Sequence, residues 1–202
     1  EYLLEQNVKA LVVACNTATS AAIRILRKKY QDQMPVIGIE PALKPAVSVK
    51  KNPRVIVMAT PMTIREEKFQ KLLKQFTSRA QVISLPCPGL VEFVERGELE
   101  SEALDDFLSA LFAPYRDEPI DAVVLGCTHY PLIRESIQKS LGSGVAVFDG
   151  GAGTARETLR KLKEYQILSD STERGTVVFE NSTGDERMIE LSRHLLERNL
   201  KH

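Results

Sequence analysis

Ile120 to Pro131 reads IDAVVLGCTHYP, and Val8 to Ser20 reads VKALVVACNTATS. Each stretch passes through a charged residue, an alanine, three apolar residues, a small residue and a cysteine, then into short polar residues. A continuous apolar run of this kind is the pattern of a parallel strand buried on both faces. Helical spacing follows each one, with Ala21, Ala22, Ile23, Leu26 and Tyr30 after the first and Leu132 to Leu141 after the second. The repeat predicts an internally duplicated α/β protein of two doubly wound parallel-sheet domains. Each half carries one thiol where a strand ends and a helix begins.

Outward from these two stretches, strand and helix alternate. Val36 to Ile39, Arg54 to Ala59, Gln81 to Leu85, Val145 to Phe148 and Thr176 to Glu180 read as strands. Thr17 to Tyr30, Ala42 to Lys50, Arg65 to Phe76, Leu90 to Glu95, Ser101 to Ala113, Thr154 to Tyr165 and Asp185 to Leu200 read as helices. Glu1 to Gln6 looks like the end of a helix, so the chain reads as opening partway through a fold. Proline restrains the residue before it, so Glu40-Pro41 is a turn. With the glycine-rich turn at Asp149 to Gly153 it marks the predicted crossovers. The expected division is residues 1–40 plus 150–202 as a discontinuous first domain and 41–149 as the second.

The chain has 202 residues, 43% of them hydrophobic and 6% aromatic, with 27 basic against 27 acidic side chains. That balance carries no excess charge for nucleic acid or an anionic membrane. No apolar run approaches the ~18 residues of a membrane span, and the expected compartment is the cytoplasm. The three cysteines are widely spaced, without CxxC or clustered histidine, which argues against a zinc knuckle or a thioredoxin-like motif. Free thiols are expected, and neither metal nor cofactor.

A free cysteine is ordinarily a small buried hydrophobe. Cys87, between two prolines and without a matched partner, is read that way. Cys15 and Cys127 are different because their settings match. A helix start offers unpaired N–H groups and a positive dipole end, which favours a thiolate. Two equivalent acid/base groups converging on one centre suit inversion at a carbon, one removing a proton and the other returning one to the opposite face. Asn16, Thr17 and Thr128 have two readings, as binders of carboxylate oxygens at helix starts or as helix caps. His129, two residues after Cys127, is placed to tune that thiol or donate a proton. The run Asp149-Gly150-Gly151-Ala152-Gly153 suggests a dinucleotide turn only weakly, because Arg156 stands where the third glycine belongs.

With CNTAT at Cys15 to Thr19, GCTHYPL at Gly126 to Leu132 and PGLVEFVERG at Pro88 to Gly97, the sequence resembles the glutamate racemase family. This is the cofactor-independent branch of the aspartate/glutamate racemase superfamily. The resemblance implies two α/β domains with the active site between them, commonly in a homodimer. It implies two-base racemisation of glutamate, with Cys15 and Cys127 on opposite faces of the α-carbon, and D-glutamate supplied to peptidoglycan. Asn16, Thr17, Thr60, Thr63, Thr128 and His129 match the family's substrate contacts. Glu95, with His129, matches the acid that assists the second cysteine, and Glu92 stands close enough to compete. The family's opening strand with its Asp-Ser pair, and its Pro-Tyr-Gly segment, are not among these residues. Glu66 and Gly150 also depart from the small polar residue and the serine usual there. The alternatives are a relative acting on aspartate or a hydantoin, a ligand-binding fragment without catalysis, and a dithiol redox protein.

Overall fold

The computed structural model describes residues 1–199. It opens with a short helix α1 (Tyr2–Glu5), strand β1 (Leu11–Val13), helix α2 (Asn16–Tyr30) and strand β2 (Val36–Gly38). β1 and β2 pair in parallel, Leu11 opposite Val36 and Val13 opposite Gly38. β1 has β2 as its one neighbour in this two-stranded sheet. Val12 is therefore 39% exposed, where the apolar run predicted a strand buried on both faces.

The second sheet matches its sequence pattern more closely. After α3 (Leu43–Ala46) come β3 (Arg54–Ala59), α4 (Pro61–Arg65), α5 (Glu67–Lys74) and β4 (Gln81–Pro86). Next are α6 (Leu90–Glu95), α7 (Glu102–Phe112), β5 (Ala122–Leu125), α8 (Arg134–Leu141) and β6 (Ala146–Asp149). The four strands lie in the order β4-β3-β5-β6, all parallel. Strand side chains alternate between faces, so this sheet builds two cores. Ile56, Met58, Val123 and Leu125 pack with Leu90, Leu104, Leu108 and Ile137 on one side. Val55, Val57, Ala59 and Val124 pack with Leu43, Phe69 and Leu73 on the other. Helices on both faces make this a doubly wound sheet, and the strand order reverses between β3 and β5. Crevices at such a reversal, outside the carboxyl ends of the strands, are where open α/β sheets bind ligands.

Several expectations change in detail. The helix predicted over Arg65 to Phe76 is two helices, because Glu66 adopts an extended conformation (ψ 131°) between α4 and α5. The segment after Cys127 is a tight 3-10 turn over Tyr130–Ile133 before α8, with Pro131 at its start. Thr176 to Glu180, predicted as a strand, is not in a sheet, and Val177 and Val178 are 67% and 77% exposed. Its β-branched residues supply the propensity, but no strand lies alongside it among the described residues. Helices α9 (Gly151–Glu164) and α10 (Glu186–Asn199) complete the chain. The predicted end of the last helix at Leu200 lies outside the described residues. Among those residues no helix is long and apolar enough to cross a membrane.

Candidate active site

The reversal point is filled by residues from both sequence repeats. Gly126 follows β5, and its N–H donates to the Met58 carbonyl of β3 at 2.8 Å. A Cβ at Gly126 would stand 2.5 Å from that same oxygen, so only glycine permits this approach. The next residue, Cys127, is thereby held over the carboxyl end of β3, whose own continuation is Thr60. Thr60 caps α4, its hydroxyl accepting from the Thr63 N–H at 3.2 Å.

From the other repeat, Cys15 is the N-cap of α2, in extended conformation and exposed. The two cysteine loops touch. Thr128 Oγ1, next to Cys127, donates to the carbonyl of Ala14, next to Cys15, at 2.8 Å. Thr17 Oγ1 of α2 lies 3.1 Å from Thr60 Oγ1 and 2.7 Å from Thr63 Oγ1. Thr60 and Thr63 hydroxyls are 3.0 Å apart, closing a ring of three. Asn16 is buried beside them, and its Oδ1 has no partner. It lines a crevice of about 10 Å³ with Ser20, Glu40, Thr63 and Lys68, the room of a single water.

Cys127 is buried, unlike Cys15. Burial pushes its thiol up from the ordinary value, outweighing backbone N–H groups of His129, Tyr130 and Thr128 that favour the thiolate. The neighbouring Cys15 adds to the rise. The expectation that a helix start would favour a thiolate is therefore corrected here: desolvation is the larger effect. His129 Nδ1 stands 3.7 Å from Cys127 Sγ, and its Nε2 stands 3.4 Å from Glu95 Oε1. A carboxylate at Nε2 keeps the ring proton there and leaves Nδ1 to accept from the thiol. Glu95, at the end of α6, makes this contact, and Glu92 one turn earlier acts on buried Tyr130 instead.

The structure thus links the loops and helix starts that carry Cys15, Cys127, Thr17, Thr60, Thr63, Thr128, His129 and Glu95 through one set of contacts, with Asn16 buried beside the threonines. Two participants were not singled out from the sequence. The Ala14 carbonyl is backbone and has no signature in side-chain pattern. Tyr130, fully buried, directs its N–H toward Cys127; its place in the THYP run was the available signal. Cys87, read as structural, is buried with its Sγ donating to the Leu85 carbonyl at 3.3 Å. Among the described residues no group of three His, Cys, Asp or Glu stands where it could hold a metal ion.

Residues 1–158 match the family model described as Asp/Glu/Hydantoin racemase. The chain belongs to that family. It is 48% identical over 197 residues to the glutamate racemase of Clostridium botulinum, an alignment covering 98% of this chain and 76% of the relative. Among solved structures it is similar to Escherichia coli glutamate racemase in complex with L-glutamate and the activator UDP-MurNAc-Ala. That match has a TM-score of 0.80 and 30% identity, covering 96% of this chain and 73% of the other. An isoform of the Bacillus anthracis enzyme matches with a TM-score of 0.78 and 32% identity, covering 100% and 74%. Membership of this racemase family makes the chain an isomerase.

Proposed function

We propose that this racemase interconverts L- and D-glutamate without a cofactor, Cys15 and Cys127 acting on opposite faces of the α-carbon. The observation that carries the reading is the contact between the two cysteine loops, Thr128 Oγ1 to the Ala14 carbonyl. It joins the two matched strand ends from which the thiols project, and the glutamate racemases among its relatives suggest the substrate. In one direction the Cys15 thiolate takes the α-proton, and the electron pair moves into the adjacent carboxylate. The Cys127 S–H then delivers a proton to the other face, leaving Cys127 as thiolate and Cys15 as thiol. The reverse direction exchanges the two roles. His129, held by Glu95, accepts from the Cys127 thiol and offsets the burial that opposes its ionisation.

Thr17, Thr60 and Thr63 supply the hydroxyls that turn outward to hold the carboxylates, with Asn16 behind them, and Thr128, whose hydroxyl is committed to Ala14, fixes the loop beside them. Such donors stabilise the charge that develops at the carboxylate. The acid/base pair itself contributes roughly 10²–10⁴-fold. We read residues 1–40 with 150–202 as one domain and 41–149 as the other, the crevice lying between them. A homodimer and a role in supplying D-glutamate for peptidoglycan complete the proposal. A relative solved with the activator UDP-MurNAc-Ala, a muramyl nucleotide, supports that role.

Incubation with each glutamate enantiomer in deuterium oxide tests the reaction. Deuterium enters Cα, and chiral chromatography finds both enantiomers from either start. Retention of the α-proton in both would remove the proposal, and exchange of aspartate instead would reassign the substrate.

A further inference from the structure

Glu95 is the last residue of α6, and what fixes the turn beyond it also fixes where its carboxylate can reach. Gly97 takes φ +75°, the left-handed conformation that commonly ends helices. Its N–H donates to the Val94 carbonyl at 2.9 Å, and the Glu98 N–H donates to Phe93 at 2.9 Å. Two side chains then grip this turn from outside. Ser136 Oγ of α8 donates to the Leu99 carbonyl at 3.1 Å. The other grip comes from the far end of the chain.

α10 presents one half-buried face, made by Met188, Leu191, Leu195 and Arg198 at helical spacing. Leu191 Cδ1 lies 3.8 Å from the position a Cβ would occupy on Gly97. Leu195 packs against the core that contains Leu90, Val94 and Cys127. Arg198 pairs with Glu100. α10 is also tied to the opposite end of the chain: Arg193 stacks over Phe179, and the next residue, Glu180, accepts from the Tyr2 hydroxyl at 2.6 Å. The helix is a strut from α1 to the turn that follows Glu95.

We propose that Leu191 and Arg198 are positioning residues for the Glu95–His129–Cys127 relay, α10 holding the turn from which Glu95 meets His129. The relay's part in turnover rests on the function proposed above, whereas the mechanical link to Cys127 does not.

The test uses the full chain with Leu191→Ala, Arg198→Ala, Arg198→Lys and Glu95→Gln, and two readouts. The first is glutamate racemisation. Leu191→Ala and Arg198→Ala lower kcat about threefold with KM unchanged, in the range of remote couplings, and Arg198→Lys restores it. In a Glu95→Gln background neither substitution lowers kcat further. The second readout is the pH profile of Cys127 alkylation followed by mass spectrometry. In both α10 variants it moves in the direction seen with Glu95→Gln. Losses that multiply with Glu95→Gln, or an alkylation profile identical to wild type in Leu191→Ala and Arg198→Ala, overturn the proposal. A wild-type chain that does not exchange glutamate removes the racemase reading, and the alkylation profile still decides the link.

Discussion

The loops around Cys15 and Cys127 share a sequence pattern but differ in almost everything outside it. Each cysteine ends a parallel strand. The strand before Cys15 has one partner and an exposed face, and its cysteine is open to solvent. The strand before Cys127 is paired on both sides and lies under two cores, and its cysteine is buried. A full helix of 15 residues starts at the first, a 3-10 turn at the second. The lesson is that local sequence sets the backbone path, while the number of layers packed around it sets the chemistry of the thiol. His129 and Glu95 stand on the side where burial works against ionisation, and Cys15 has no equivalent among the described residues.

The comparison breaks first, and most visibly, at the thiols. If both halves are needed, Cys15→Ser and Cys127→Ser each lower racemisation by roughly 10²–10⁴-fold or more. Wild-type rates in either variant, measured by chiral assay, would show that the matched pattern is only structural. A second expectation concerns alkaline stability, which the buried half dominates. Burial raises the Cys87 thiol from 9.0 to about 12. A folded value above the unfolded one contributes stability in full below pH 9, lost as pH climbs toward 12. The full span is worth about 4 kcal/mol. Denaturant melts of Cys87→Ala across that window therefore show a shallower fall than wild type, and an unchanged slope would contradict the assignment.

A smaller effect sharpens the contrast at the residue before each cysteine. Gly126→Ala forces a methyl against the Met58 carbonyl and costs about 1–3 kcal/mol. Ala14→Gly, at the exposed matched position, costs about 0.5–1 kcal/mol through chain entropy alone. Equal losses would mean that the two loops are more alike than their surroundings indicate. Smallest is a difference in labelling order. Under limiting iodoacetamide near neutral pH, Cys15 reacts first because it is exposed, Cys127 more slowly, and Cys87 only on unfolding. Peptide mapping reads that sequence directly.

The second sheet was legible because burial on both faces writes continuous apolar runs. Arg54–Ala59 and Ala122–Leu125 are strands over the residues expected. Thr176 to Glu180 misled because propensity cannot report whether a partner strand is present, and that is settled far away in the chain. Glu66 interrupts a helical pattern through its backbone angle, which no side-chain spacing displays. At the site, matched cysteines and their polar neighbours were visible as a repeat. The thiolate expectation for Cys127 failed because the helix start is local, whereas desolvation is imposed by the core around it, much of it, such as Leu90 and Val94, distant in sequence. Glu95 could be separated from Glu92 only once α6 had a direction relative to His129.

The three mutually bonded threonine hydroxyls carry a consequence of their own. Three oxygens joined by three contacts use all three of their hydrogens around the ring, and the Thr63 amide already occupies one lone pair of Thr60. Closed in this way, the ring offers an approaching anion only lone pairs, which repel it. One hydroxyl must rotate outward before an anion can be held, and doing so opens one link while leaving the other two intact. Occupancy of the crevice is therefore coupled to the rotor state of a few hydrogens, a rearrangement that requires no movement of the backbone.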